Sequence, residues 1–208
     1  MPTRHIQEKW KLNNVQELPI ELKGLNREGL YDLFAAFGYK RGAEVGVWEG
    51  SNATRMFERI LDLELFLIDP YKDYSRGRKR RGNRQLRKVE KNAHRRVKDH
   101  NAKFLKMFSE DAIRKIEDGS LDFVYIDGNH TYDYTMLDII LWTRKVKPGG
   151  IISGHDYYHG ERSRVECKLA VDDYTLRHKI NPWYITDLEA ERITKKRNAR
   201  RSWFWVKE

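Results

Sequence analysis

The 208 residues include one cysteine, Cys167, and only five prolines. A lone cysteine excludes an intramolecular disulfide, so nothing directs the chain to an oxidising compartment. No apolar run approaches the roughly 20 residues that a bilayer span needs. Met1-Pro2-Thr3-Arg4-His5 has no apolar core behind it to make a signal peptide. Together these absences predict a soluble, cytoplasmic protein with no membrane partner. The G-x-G-x-x-G spacing of a dinucleotide site is also missing. Gly42, Gly46 and Gly50 stand four apart, and Val47-Trp48 occupy the place of the tight turn, which argues against a nicotinamide cofactor. Acids are scarce in one stretch: from Arg76 to Lys98 there are twelve Lys/Arg against Glu90 alone, within a chain of net charge +10. The remainder is close to neutral.

Residues 42–52 set the organisation of the rest. A short apolar run meets a glycine-punctuated turn and then a helix-forming stretch over 53–61. That pattern is a strand, a tight loop and a helix N-terminus, whose unpaired N–H groups favour a polar or anionic ligand. Glu44 sits inside the strand, where a carboxylate suits a cation and would sit badly beside a phosphate. Further strands are expected over 63–69, 103–108, 121–126 and 151–154, and helices over 28–37, 84–100, 109–117, 131–144 and 163–179. The last helix is expected to turn Val165, Leu169 and Tyr174 inward. Strands over 183–188 and 203–206 then form a hairpin closed by a long loop. The expected fold is α/β: a doubly wound, Rossmann-like, mostly parallel seven-stranded sheet with a C-terminal antiparallel hairpin. Residues 1–40 read as an N-terminal extension and helix, with a turn near Pro19, and 41–208 as one domain without internal repeats.

Four runs carry a resemblance: Glu44-Val-Gly-Val-Trp-Glu-Gly-Ser, Asp69-Pro70-Tyr71, Asp122-Phe-Val-Tyr-Ile-Asp-Gly-Asn-His-Thr-Tyr132 and Lys147-Pro-Gly-Gly-Ile-Ile-Ser-Gly-His-Asp156. In this order the chain resembles class I S-adenosylmethionine-dependent methyltransferases over about residues 40–175. Within these it is similar to the methyltransferase 24 type, itself akin to catechol-type O-methyltransferases. The resemblance implies that Glu44 and Asp127 hold the methionine ammonium, while Gly46 and Gly50 admit the cofactor beside Trp48. It implies Asn52 at the cofactor carboxylate, Asp69 at the ribose hydroxyls, and Ser109 with Glu110 at the adenine edge.

Asp127, Asn129, His130, His155, Asp156 and His159 all follow the strands over 121–126 and 151–154. Two roles compete for them. Asp127 and Asp156, with His155 or His130, are a donor set for a divalent metal such as Mg²⁺ or Mn²⁺. Alternatively His130 or His155 is the general base that takes the acceptor's proton. Catechol-type enzymes carry acid, acid and amide at their metal positions, and His155-Asp156 departs from that pattern. Tyr71, Tyr132, Tyr157 and Tyr158 fall on the same rim and suit a planar acceptor, whereas Trp142, Trp183, Trp203 and Trp205 suit the core. Asp127-Gly-Asn-His, where amino-directed base methyltransferases carry an Asn/Asp-Pro-Pro-aromatic motif, counts against an exocyclic-amine target. The basic segment at 76–98 and the cations of the late loop (Arg192, Lys195, Lys196, Arg197, Arg200 and Arg201) suit an anionic small-molecule or glycan acceptor, a nucleic acid, or solvent alone. The sequence leaves the oligomeric state open.

Overall fold

A computed structural model describes residues 1–12, 17–72, 82–158, 165–195 and 199–208. Its central strand, β5 (Leu121–Ile126), is buried at all six positions, the pattern of a strand covered by helices on both faces. Around it lie β1 (Ile20–Leu22), β2 (Arg41–Val45), β3 (Glu64–Ile68), β4 (Ala102–Leu105), β6 (Val146–Gly154), β7 (Tyr184–Thr186) and β8 (Trp203–Val206). The sheet order is β1-β7-β8-β6-β5-β2-β3-β4. Every pairing is parallel except those of β8, which runs antiparallel to both β6 and β7.

The helices are α1 (Pro2–Lys9), α2 (Arg27–Ala36), α3 (Ser51–Arg59), α4 (Asn83–Arg96), α5 (Ser109–Ala112), α6 (Tyr132–Thr143), α7 (Cys167–Arg177) and α8 (Leu188–Lys195). Asn26 starts α2 by accepting the Gly29 N–H at 2.9 Å, with Glu28 in the first turn to complement the helix dipole. α4 buries the stripe Leu86, Val89, Ala93, with Val97 just beyond it, and leaves its cations outside.

Two apolar layers sandwich the sheet. On one face Leu30 and Phe34 of α2 and Met56 of α3 pack on Leu65, Phe123 and Tyr125, with Phe34 stacked on Phe123 at 4.5 Å. On the other, Ile139 and Trp142 of α6 and Val171 of α7 meet Val124, Ile152, Trp203 and Trp205. Trp203 and Trp205 point to one face and Phe204 to the other, the period-two alternation of a strand. All four tryptophans assigned to the core from sequence are buried.

Several expectations change. The sheet has eight strands instead of seven, because the stretch expected as an extension contributes α1 and β1. Ile20-Glu21-Leu22 is too short to show periodicity and is held by pairing with β7. The Lys147-Pro-Gly-Gly turn lies inside a long β6, where its pairing with β5 shifts register. α8 occupies half of the stretch between β7 and β8. Leu169 is exposed, leaving Ala170, Val171 and Tyr174 as the inner positions of α7. Residues 73–81, which include the first part of the basic segment, lie outside the described residues, as do Lys196 and Arg197.

Candidate active site

From β2 the chain moves to β3 and β4 on one side, and from β5 to β6 on the other. The point where winding reverses lies between β2 and β5, and a doubly wound sheet opens a crevice there at its carboxyl edge. Gly46 makes the approach possible: at φ +91° a Cβ would stand 2.2 Å from the Asp127 carbonyl oxygen. Its N–H bonds Ile68 O at 2.8 Å, and the Asp127 N–H bonds Val45 O at 2.7 Å, so the ends of three strands are tied together. Asp69 holds the loop beyond. Its Oδ2 accepts from Val47 N (3.1 Å) and Trp48 N (3.0 Å), and its Oδ1 from Tyr71 N (2.8 Å).

A cleft follows, walled by Gly46, Asp69, Ser109, Glu110, Asn129 and Asp138 among others. Asp69, Ser109 and Glu110 therefore meet around one opening. Ser109 Oγ accepts the Trp142 indole N–H at 2.7 Å and turns its own hydroxyl to Asp138. Burial pushes Asp138 up to about 7, opposed by the Ser109 hydroxyl and reinforced by Glu110. Sequence reasoning missed Asp138, although an acid four residues before Trp142 on the inner face of α6 is the available signal.

Behind the cleft runs a buried polar chain. Glu44 Oε1 accepts from Asn52 Nδ2 (2.9 Å), and Asn52 Oδ1 accepts from the Tyr31 hydroxyl (2.6 Å) and Arg27 Nη1 (3.3 Å). Arg27 Nη2 lies on His155 Nε2. Arg27 is 4% exposed and Glu44 is fully buried, one residue inward of the cleft wall. Glu44 Oε2 and Arg27 Nε have no hydrogen-bond partner among the described residues. Burial pushes Glu44 up to about 8, with the Asp127 charge adding and Asn52 and Arg27 opposing. Asn52, expected at a ligand carboxylate, has its amide committed within this chain. Gly50 meets α4 instead of the cleft: a Cβ there would lie 3.0 Å from Ala93 Cα. Trp48 is likewise in the loop held by Asp69, its carbonyl accepting from the Tyr71 hydroxyl at 3.2 Å. Arg27 gave no sequence signal, because it reads as an ordinary first residue of a helix.

At the ends of β5 and β6, Asp127, His130 and Asp156 converge. One donor atom from each lies within 4.8 Å of the others, a geometry able to hold a metal ion. Asp156 Oδ2 faces His130 Nε2 at 3.5 Å and His155 Nδ1 at 3.2 Å. Burial works against its charge, yet the hydrogen bond from His155, helped by the Arg27 guanidinium, holds its carboxyl well below the usual range. His155 departs from expectation. Arginine only donates, so Nε2 of His155 is an acceptor and its N–H lies on Nδ1, facing Asp156. That ring is buried and doubly engaged, which leaves the accessible imidazole role to His130. The tyrosines divide too: the hydroxyls of Tyr71, Tyr132 and Tyr157 are bonded to Trp48 O, Asp173 and Asp172. His159 lies outside the described residues.

Residues 43–157, more than half of the chain, match the family model described as a methyltransferase domain, the methyltransferase 24 model. The chain belongs to this methyltransferase family. No curated protein matches the sequence. Among solved structures the methyltransferase resembles the O-methyltransferase TomG of Streptomyces achromogenes, solved with S-adenosylmethionine, at 12% identity and TM-score 0.60, over 100% of this chain and 89% of that one. It also resembles an O-methyltransferase of Bacillus cereus, solved with S-adenosylhomocysteine, at 13% and 0.61, over 99% and 90%. A putative rRNA methylase of Clostridium thermocellum follows at 16% and 0.59, over 86% and 95%. At such identities the likeness is one of fold. No described helix of the methyltransferase is long and apolar enough to cross a membrane.

The residues of this methyltransferase fit the sulfonium cofactor expected from the motifs. Glu44 Oε2 is a buried acceptor lacking a partner among the described residues, beside a second carboxylate on Asp127, and an ammonium supplies the missing donor. The cleft adds the carboxyl groups of Asp69 and Asp138 to its lining.

Proposed function

We propose that the protein transfers a methyl group from S-adenosylmethionine to an oxygen of an anionic small-molecule or sugar-type acceptor. The family assignment fixes the reaction class, and the fold neighbours solved with S-adenosylmethionine and its product support the donor. The observation that carries the reading is the unpartnered Glu44 carboxylate oxygen, which stands behind a polar cleft at the switch point.

When bound, the donor supplies a methyl carbon already activated by sulfonium, so the chain must align the acceptor and take its proton. Asp69, Ser109, Glu110 and Asp138 bind and orient within the cleft. His130 takes the hydroxyl proton at Nε2, and Asp156, ionised and 3.5 Å away, stabilises the imidazolium that forms. The convergence of Asp127, His130 and Asp156 favours a second role: these residues would hold a divalent cation that lowers the hydroxyl's pKa. Two carboxylates suit Mg²⁺, and the imidazole moves preference towards Mn²⁺.

Titration calorimetry with S-adenosylhomocysteine tests the site, and labelled methyl transfer to hydroxylated acceptors tests the reaction. A protein that binds neither donor nor product overturns the reading. Nucleic-acid methylation is the rival, favoured by the exposed Arg84, Arg87, Lys88, Arg95 and Arg96 of α4. Methyl transfer to RNA or DNA identifies it, whereas binding that falls steeply with salt and without turnover identifies a non-catalytic nucleic-acid-binding module.

A further inference from the structure

A second recess opens beside the acid–histidine cluster and is lined by Tyr157, Tyr158, Leu188, Arg192, Arg200 and Arg201. Topology explains why these residues meet. β6 ends at Gly154 and runs on through Asp156 to the two tyrosines. β8 is antiparallel to it, with Gly154 opposite Trp203, so Arg200 and Arg201 enter at the same edge. β7 is antiparallel to β8, so α8 with Arg192 leaves that edge too. A backbone bond from Tyr157 N to Arg201 O, 3.0 Å, closes the wall.

Aromatic rings hold two of the three arginines in place. The Arg200 guanidinium lies 4.1 Å from the centroid of Tyr158, and that of Arg201 lies 5.7 Å from Tyr157. A guanidinium against a ring has its rotamers restricted in advance while its edge N–H groups stay available for an oxyanion. The acids nearby use a small part of that capacity. Arg200 Nε is 3.6 Å from Asp156 Oδ1, Arg201 Nη1 is 3.5 Å from Glu21, and Arg192 Nη1 pairs with Glu189. Each contact engages one of five donors.

Asp156 links the recess to the histidines. Its Oδ2 faces the histidines and its Oδ1 faces Arg200. We propose that this recess binds an oxyanion, the carboxylate or phosphate of the methyl acceptor, through Arg192, Arg200 and Arg201, and so sets the acceptor's hydroxyl against Asp156 and His130. The proposal rests on the methyltransferase reading of the adjoining cluster. A small acceptor is favoured over RNA by position. The cations of α4 follow β3 and precede the edge strand β4, whereas the recess lies by β6, β8 and β7, on the far side of β5 and β2. Among the described residues the two cationic surfaces therefore do not join into a phosphate track.

Calorimetric titration of the full chain with inorganic phosphate, with malonate and with a short single-stranded RNA tests this, using wild type, Arg192→Gln and Arg200→Gln. Phosphate or malonate is expected to bind wild type, and each variant to weaken it about tenfold or more, through loss of a charge-assisted pair. Which of the two binds better separates a phosphorylated acceptor from a carboxylated one. S-adenosylhomocysteine is expected to titrate equally in all three proteins. Equal anion affinity in wild type and variants, or no anion binding, overturns the proposal. RNA binding that falls in Arg200→Gln while both small anions stay silent overturns it in favour of a nucleic acid. Failure of S-adenosylhomocysteine to bind is a separate result, and removes the parent reading.

Discussion

Arg27, at the start of α2, places its guanidinium on Nε2 of His155, 128 residues later in the chain. The contact ties the N-terminal region, outside the residues matched to the methyltransferase family, to the carboxyl end of β6. It leaves the His155 N–H on Nδ1, where it faces Asp156 at 3.2 Å, so Arg27 is linked to the Asp156 carboxylate through one intermediate ring. Arg27→Met is expected to cost about 3 kcal/mol of stability, since it strips a buried histidine and amide of their donor. In a double-mutant cycle with His155→Gln, denaturant unfolding is expected to give a coupling of about 1–3 kcal/mol. Additive losses would show that the two side chains do not act as a pair.

Glu44 makes ligand binding dependent on pH in a stated direction. Its folded-state pKa is raised from 4.5 to about 8 by burial. Between those values the unfolded chain is ionised there while the folded chain keeps a proton, so this group lowers stability as pH rises across that window. A bound ammonium favours the ionised form, so binding below pH 8 releases a proton. Affinity for S-adenosylhomocysteine is expected to rise with pH up to about 8, by at most about tenfold per pH unit, and then level off. Glu44→Gln is expected to bind more weakly and to flatten the profile. Calorimetry in buffers of different ionisation enthalpy counts the proton, and a wild type that releases none removes Glu44 from the ammonium site.

The long strands and the site's edge were legible in the sequence because they carry dense local signals. Leu121–Ile126 is a continuous apolar run, and 203–206 alternates two tryptophans against a phenylalanine. Asp127, His130 and Asp156 follow strand ends, so a parallel sheet brings them together without further information. What the sequence hid depends on distant partners. β1 exists because β7 offers it an edge. Arg27 looks like an ordinary helix-start residue until a buried amide and histidine are placed beside it. The packing of Gly50 against α4 is likewise invisible in its spacing.

The loop after β2 depends on Asp69 more than on its glycines alone. Asp69→Ala removes acceptors from three backbone N–H groups. It is expected to weaken S-adenosylhomocysteine binding about tenfold or more, with a stability loss of about 2–4 kcal/mol. Unchanged affinity by calorimetry would remove Asp69 from the site.

Gly46→Ala and Gly50→Ala should separate clearly. At Gly46 the new methyl would stand 2.2 Å from the Asp127 carbonyl oxygen, backbone against backbone, so loss of about 3 kcal/mol or more and of ligand binding is expected. At Gly50 the nearest atom is 3.0 Å away on α4, and the left-handed conformation itself costs roughly 1–2 kcal/mol. Thermal unfolding that ranks the two the other way would contradict the assigned contacts.

His130 and a metal compete for the same proton chemistry, and chelation separates them. With Asp127, His130 and Asp156 as ligands, turnover is expected to stop with EDTA and return with Mn²⁺. His130→Ala is then expected to weaken Mn²⁺ binding, followed by electron paramagnetic resonance, about tenfold or more, because one of three protein ligands is gone. S-adenosylhomocysteine should titrate as in wild type, since His130 stands at the acceptor side. Turnover that survives exhaustive chelation but fails in His130→Ala assigns the proton to Nε2 directly, with the Asp156 carboxylate 3.5 Å away stabilising the imidazolium. Full activity of His130→Ala in both conditions excludes either role, because no other imidazole of the described cluster has an accessible nitrogen: His155 spends both of its own on Arg27 and Asp156.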